Sequence, residues 1–235
     1  MNGCRSKNWC EKLVCYPAAA GHCRAVNIPA SVKKLVAGAT FKIHTKERGA
    51  GQCVLVEGGL ILTAAHCVAW DCTGKMAQGE FFLSKIKTGD GELIATTLAV
   101  EPVSDIAVLA SPDEQALPDE SAAFDELCER MAPVKLLQRT PKAREPFPVW
   151  IRTHLKTWVA GKAIYYERNC KFDYETECEI LCGTSGGPIV NHAGELVGVV
   201  SQGTTSRIQG KYASDAGLLS LALPAWIIAR TRATV

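Results

Sequence analysis

Three residues in this chain stand in settings that ordinary folding does not require. His66 follows the apolar run Leu60-Ile61-Leu62-Thr63 and two alanines. Asp105 enters the apolar run Ile106-Ala107-Val108-Leu109. Ser185 lies in Gly183-Thr184-Ser185-Gly186-Gly187-Pro188, where glycines leave room beside its hydroxyl. A serine hydroxyl is a poor nucleophile at neutral pH unless a base takes its proton. An imidazole titrates near neutrality and suits that task. A carboxylate beside it fixes the tautomer and stabilises the imidazolium. Gly183 suggests a tight turn that aims its own amide and that of Ser185 inward, a nest for a developing oxyanion. Blander readings exist for two of the three. A glycine-rich turn between strands also accounts for 183–188, and a surface turn at a strand start also accounts for Asp105. Neither explains why a carboxylate leading into an apolar strand, which must be paired if buried, comes with a candidate partner. His44, His154 and His192 lack comparable settings and are expected on strands or the surface.

The elements that must position these groups are short strands. Thr40 to His44 alternates, Gln52 to Val56 is a second run, and Glu57-Gly58-Gly59 turns into Leu60 to Thr63. Two runs split by Gly-Gly form a hairpin. Small residues before His66 let the chain turn sharply and carry the imidazole to the rim of a sheet. Strands follow at Glu80 to Ile86, Glu92 to Val100 and Ile106 to Leu109. Residues 111–130 hold seven acids and one base, Arg130, with two prolines. They are expected to be a solvated linker with a helical turn or two after Pro118. Beyond it, short runs resume at Val134 to Leu137, Phe147 to Ile151, Thr157 to Val159 and Ala163 to Tyr166. They continue at Ile189-Val190, Leu196 to Val200 and Ala216 to Leu223. Pro224 suits the first position of a short C-terminal helix, with Trp226 and Ile227 facing inward.

About a dozen strands without helical periodicity imply an all-β fold in two halves. The expected units are a Cys-rich N-terminal extension (1–35), a first barrel (36–115) carrying His66 and Asp105, an acidic linker (116–130), and a second barrel with the C-terminal helix (131–235) carrying Ser185.

Composition narrows the function. The chain has 235 residues, 47% hydrophobic and 21% charged, which supports a substantial core. Its net charge of +2 argues against nucleic acid as the main partner. No run approaches eighteen apolar residues, so no membrane helix is expected. The first 48 residues carry nine Lys/Arg against Glu11 and Glu47, a basic arm or simply a solvated face. Eleven cysteines fit an oxidising compartment, whereas an N-terminus without an apolar leader fits the cytoplasm, so the compartment stays open. Cys4, Cys10, Cys15 and Cys23 are spaced C-x5-C-x4-C-x7-C, without the short pairs of structural zinc sites. Local disulfides, a metal site helped by His22, or incidental thiols on an extension all remain possible. No metal or other cofactor is expected for the chemistry.

Thr63-Ala64-Ala65-His66-Cys67, Asp105-Ile106-Ala107-Val108-Leu109 and Gly183-Thr184-Ser185-Gly186-Gly187-Pro188 resemble the three signature blocks of trypsin/chymotrypsin-like serine proteases. Their order is that family's order. With 39 and 80 residues between successive members, the chain resembles compact bacterial or viral types. The likeness spans roughly Gly38 to Arg230. It implies two six-stranded antiparallel β-barrels, and an endopeptidase in which Ser185 is nucleophile, His66 general base and acid, and Asp105 its orienter. The amides of Gly183 and Ser185 would bind the oxyanion. Ser201-Gln202-Gly203 resembles the strand that lines the specificity pocket, with Gly217 on the opposite wall. Glu179 falls where trypsin-like pockets carry an acid, and Asp215 is its rival for that place. Both also fit solvated loop acids. Cys53 and Cys67 resemble the family's disulfide at the histidine loop, and Cys170 would pair with Cys178 or Cys182. Thr184 stands where members activated by cleavage carry an aspartate that pairs with the freed N-terminus. The likeness therefore implies a protease active as made, whose oxyanion loop keeps its shape by other means. Partners would be protein or peptide substrates, with the oligomeric state open. The competing functions are a catalytically silent binding module on the same fold and a Cys-rich adaptor working through residues 1–35.

Overall fold

The computed structural model describes residues 27–45, 49–68, 83–167, 169–204, 207–208 and 210–232. The expectations for Cys4, Cys10, Cys15, Cys23 and His22, and for the strand start at Glu80, lie outside these residues.

A helix α1 (Ala30–Gly38) leads into β1 (Thr40–Thr45). The hairpin read around Gly58-Gly59 is β2 (Gly49–Val56) and β3 (Leu60–Ala64). Then come β4 (Leu83–Lys87), β5 (Glu92–Glu101) and β6 (Ile106–Ala110). These six antiparallel strands close into a barrel in the order β1-β2-β3-β6-β5-β4. In β4 the alternation is visible, with Ser84 and Ile86 inward and Leu83, Lys85 and Lys87 outward. β3 and β6 are buried along their whole length. That is why they read as unbroken apolar runs, and why the polar groups at their ends stand out.

The acidic segment 118–130 is a full helix, α2 (Pro118–Arg130), rather than a turn or two. Pro118 sits at its start, where a missing N–H costs nothing. Asp119 and Glu120 lie in its first turn and Arg130 in its last, each matching the helix dipole. Phe124 and Leu127, three apart, are buried on one face, and the helix packs on β5. The acids that suggested a linker are this helix's solvent side.

The second half contains β7 (Pro146–Arg152), β8 (Trp158–Tyr165), β9 (Lys171–Thr176), β10 (Pro188–Val190), β11 (Leu196–Val199), β12 (Arg207–Ile208) and β13 (Lys211–Gly217). They form a half-barrel sheet in the order β11-β10-β7-β8-β9-β13-β12. Its curl brings β11 back against β13. A Cβ on Gly198 would lie 2.7 Å from Gly217 O and 2.8 Å from the Phe172 ring. Packing, not a hydrogen-bond ladder, holds these two strands together.

β9 alternates Phe172, Tyr174 and Thr176 inward with Asp173 and Glu175 outward, a strand concealed by its charges. The expected strand Ala216 to Leu223 is shifted. β13 ends at Gly217, and Leu219–Ala222 form a short helix α3. The C-terminal helix α4 spans Ala225–Arg232. Ile227 faces the core as expected, but Trp226 is exposed. Adjacent helical residues point about 100° apart, so one face cannot bury both. Arg230 Nε donates to Gly58 O at 2.8 Å, tying α4 to the β2–β3 turn of the first barrel. No described helix is long and apolar enough to cross a membrane.

Candidate active site

β3 ends in a 3-10 turn, Ala65–Cys67, and this turn presents His66. Asp105 heads β6, the strand paired with β3. It adopts φ 55°, a left-handed conformation that Asp tolerates better than most residues. Three bonds tie the two segments. Ala65 N–H donates to Asp105 O at 3.0 Å, His66 N–H donates to Asp105 Oδ1 at 2.9 Å, and His66 Nδ1 lies 2.7 Å from Asp105 Oδ2. Asp105 thus fixes both the backbone and the ring of His66. A fourth bond crosses between the halves, since Ser201 Oγ donates to Asp105 Oδ2 at 2.6 Å. The sequence placed Ser201 on a pocket strand and carried no sign of this second task.

Ser185 lies in the loop before β10. Gly183 and Gly186 both have positive φ, 89° and 77°. At Gly186 the need is also steric, because a Cβ would stand 1.9 Å from Gln52 O and 2.4 Å from Thr63 Oγ1. The loop that carries Ser185 is pressed directly onto the first barrel there. Gln52 is the other half of that grip. Its N–H donates to Ser185 O at 2.7 Å, and its side-chain Nε2 reaches Thr184 O and Arg152 O, each at 3.3 Å. Thr63 Oγ1 donates to Gln52 O at 2.7 Å. The signal for this was present: a glutamine inside an apolar strand must find buried partners.

His154 also departs from expectation. It lies at the β7–β8 turn, half-buried, with Nδ1 3.0 Å from Thr184 Oγ1. Among the described residues, neither Gly183 N–H nor Ser185 N–H has an acceptor. Ser185 Oγ donates to Ser201 O at 3.3 Å.

His66, Asp105, Ser185, Ser201, Gln202 and Gly203 line one open groove of about 530 Å³, together with Pro102, Val103 and Lys171. Glu179 and Asp215 are not among its lining residues. Asp215 is exposed and pairs with Lys171 Nζ at 3.4 Å. Gly217 is buried elsewhere, where a Cβ would meet Ile106 Cδ1 at 2.5 Å and Ser104 Cβ at 2.7 Å. It lets β13 pass beneath the turn that carries Asp105. The segments around Ile180 and Thr204 clasp each other, Ile180 N–H to Thr204 Oγ1 at 2.8 Å and Thr204 N–H to Ile180 O at 2.9 Å. Among the described residues no cluster of His, Cys, Asp and Glu is large enough to hold a metal ion.

The disulfides inferred by resemblance are corrected in part. Cys53 and Cys67 are both free thiols, buried near one another. Burial, and then the neighbouring Cys67, push the Cys53 thiol far above its usual range, so it stays protonated and inert. Cys170 and Cys182 are free as well, so neither proposed partner of Cys170 joins it. Cys170 Sγ lies 2.8 Å from Ser104 Oγ.

Electrostatics follow the geometry. The hydrogen bond to Asp105, with a smaller contribution from neighbouring Cys67, raises the His66 pKa against the opposing effect of burial. Burial pushes Asp105 up, but the bonds from His66 and Ser201 outweigh it and hold the carboxyl below its usual range. An imidazole with a raised pKa keeps its proton to higher pH, and removing the carboxylate should release it earlier. NMR titration of His66 in Ser185→Ala is therefore expected to give a value above the ordinary ~6.5. The value should fall when Asp105→Asn is added. An unchanged value would mean that Asp105 does not act on the ring.

A family model described as the trypsin-like peptidase domain matches residues 51–199. No curated relative matches the sequence. Among solved structures, the fold is similar to that of Rv3671c from M. tuberculosis, a serine-to-alanine mutant in an inactive form. There the TM-score is 0.53 at 19% identity, covering 89% of this chain and 93% of that one. It is similar to a serine endoprotease from Yersinia pestis, with TM-score 0.55 at 18% identity over 88% and 68% of the two chains. It is also similar to the HtrA-type protease AlgW with a tripeptide, with TM-score 0.52 at 21% identity over 82% and 60%. At such identities these likenesses speak for the shared fold.

Proposed function

The chain belongs to the trypsin-like peptidase family, and from that premise we propose that it is a serine endopeptidase working through an acyl-enzyme on Ser185. The observation that carries this is the His66–Asp105 pair, 2.7 Å apart, in the same groove as Ser185. Three residues scattered over 119 positions meet where the two halves join. A fold kept only for binding has no use for that meeting.

In the proposed cycle, the Ser185 hydroxyl turns from Ser201 O toward His66 Nε2, a modest side-chain rotation of the kind that substrate binding induces. Oγ attacks the scissile carbonyl carbon while its proton passes to His66. Asp105 stabilises the imidazolium without taking the proton itself. The carbonyl oxygen becomes an oxyanion and accepts from the two free amides, Gly183 N–H and Ser185 N–H. As the tetrahedral intermediate collapses, His66 gives its proton to the leaving amine. Water then repeats the sequence on the ester and restores Ser185. Ser201, Gln202 and Gly203 form the wall along which an extended substrate would lie. Lys171, paired with Asp215, lines the same groove. It is a better candidate than Glu179 for sensing substrate charge.

Labelling with a fluorophosphonate tests the reading, because the probe reacts only with a serine activated by a base. Wild-type protein is expected to label at one site, identified by peptide mass as Ser185. Folded protein that takes no label would be a silent binding module instead.

A further inference from the structure

In a protease of this type that is not switched on by a new N-terminus, something else must hold the oxyanion loop. We infer that His154 does so, as a positioning residue that acts on Gly183 and Ser185 through Thr184. The role presupposes that the chain is a working serine peptidase.

Thr184 lies between the two amides assigned to the oxyanion and is fully buried. An aspartate there would need a cation; a threonine needs only a neutral partner. His154 supplies one from the β7–β8 turn, on a separate part of the chain. Its Nδ1 lies 3.0 Å from Thr184 Oγ1, and its own N–H approaches the same oxygen at 3.5 Å. Burial, and then Lys42, lower the His154 pKa, which keeps the ring neutral. A neutral ring with Nε2 protonated accepts the Thr184 hydroxyl proton at Nδ1, and the hydroxyl oxygen accepts from the His154 amide. Both hydrogen-bonding needs of the hydroxyl are then met within one residue.

The imidazole also lies flat to the loop. The open side of Gly183 faces the ring, and a Cβ there would be 3.5 Å from His154 Cγ and 3.7 Å from Nδ1. The ring therefore backs the peptide that must present Gly183 N–H to the groove. On its other side Thr184 O is held by Gln52 Nε2 at 3.3 Å and by Gly187 N–H at 2.8 Å. Thr184 is thus gripped from both halves of the molecule, through its carbonyl by the first barrel and through its hydroxyl by His154. Loss of the second grip loosens Thr184 and the Gly183 backbone before it, and frees the 182–183 peptide, which carries the Gly183 N–H, to rotate. Oxyanion donors matter in the transition state more than in the ground state. The signature of this role is a fall in kcat with little change in KM.

The test is steady-state hydrolysis of a short peptide p-nitrophenyl ester, with fluorophosphonate labelling of each folded protein beside it. His154→Ala is expected to lower kcat roughly 10- to 100-fold, below the loss of a whole oxyanion donor, with KM within about threefold. His154→Asn, whose amide can stand where Nδ1 stands, should regain most of the loss. Thr184→Val should match His154→Ala, and the double variant should be no worse than either, since both remove one interaction. A wild-type kcat in His154→Ala, a loss confined to KM, or full additivity in the double variant would overturn the role while leaving the peptidase reading intact. Failure of the folded wild type itself to label or turn over would overturn that reading and this role with it.

Discussion

Ser185→Ala is expected to lose turnover by about 10⁶-fold, the cost of removing the nucleophile from a triad that works as a unit. The fold should survive the change. Among the described residues Ser185 Oγ makes one hydrogen bond, to Ser201 O at 3.3 Å, in a part-buried setting. Losing such a bond costs about 1 kcal/mol or less. The loop's shape does not depend on that hydroxyl. It is set by Gly186 against Gln52 and Thr63, by Gln52 N–H on Ser185 O, and by Gly186 N–H on Val200 O at 2.7 Å. Activity and stability should therefore separate cleanly. Thermal melting should match the wild type while ester and peptide hydrolysis drop to a residue about 10³- to 10⁴-fold above water, the share left to the oxyanion donors and binding. Turnover close to wild type in this variant would mean a different nucleophile. The exposed thiol of Cys182, three residues earlier, would be the first to examine.

Much of this candidate site was legible in the sequence because each proposed catalytic residue breaks a local rule. A histidine after Ala-Ala at a strand end, an aspartate leading an apolar strand and a serine among glycines are all poor choices for packing. A residue that costs stability locally invites a functional reason. The supporting residues break no such rule. Ser201 was visible as part of a strand, but its bond to Asp105 joins positions 96 apart and depends on how the halves meet. His154 lies in a turn where a histidine is unremarkable, and only the fold brings it to Thr184. Gln52 was the exception, a buried polar residue in an apolar strand whose partners lie 100 and 132 positions away. The fold itself was misread where charge masks period. β9 hides three inward residues among Lys171, Asp173 and Glu175. α2 hides two core residues, Phe124 and Leu127, among seven acids in the segment around it. Free Cys53 and Cys67 show the limit of resemblance. The likeness to the family suggested a pair, whereas both are free, buried thiols.

Asp105→Asn should cost about 10⁴-fold in kcat and leave the fold nearly unchanged, and the reason lies in which donors can adapt. Asp105 receives three donors on its carboxylate: His66 N–H on Oδ1, and His66 Nδ1–H and Ser201 Oγ–H on Oδ2. Asparagine keeps one oxygen and turns the other into an NH2 donor. If that NH2 faces the His66 backbone, two fixed donors collide, because an amide N–H cannot become an acceptor. If it faces His66 Nδ1 and Ser201, both partners can yield. The hydroxyl rotates, and the imidazole moves its proton to Nε2. The second arrangement wins, and it is the one that disables the enzyme, since a protonated Nε2 cannot accept the Ser185 proton. The backbone is spared because asparagine tolerates the left-handed φ of 55° as aspartate does. Asp105→Ala should behave differently, with a lower melting temperature as well as lost activity. It strains that φ and leaves the His66 N–H and the Ser201 hydroxyl without their acceptor. Measured together, kcat and melting temperature distinguish an orienting carboxylate from a merely structural one. An Asn variant with kcat within tenfold of wild type would show that Asp105 does not set the tautomer.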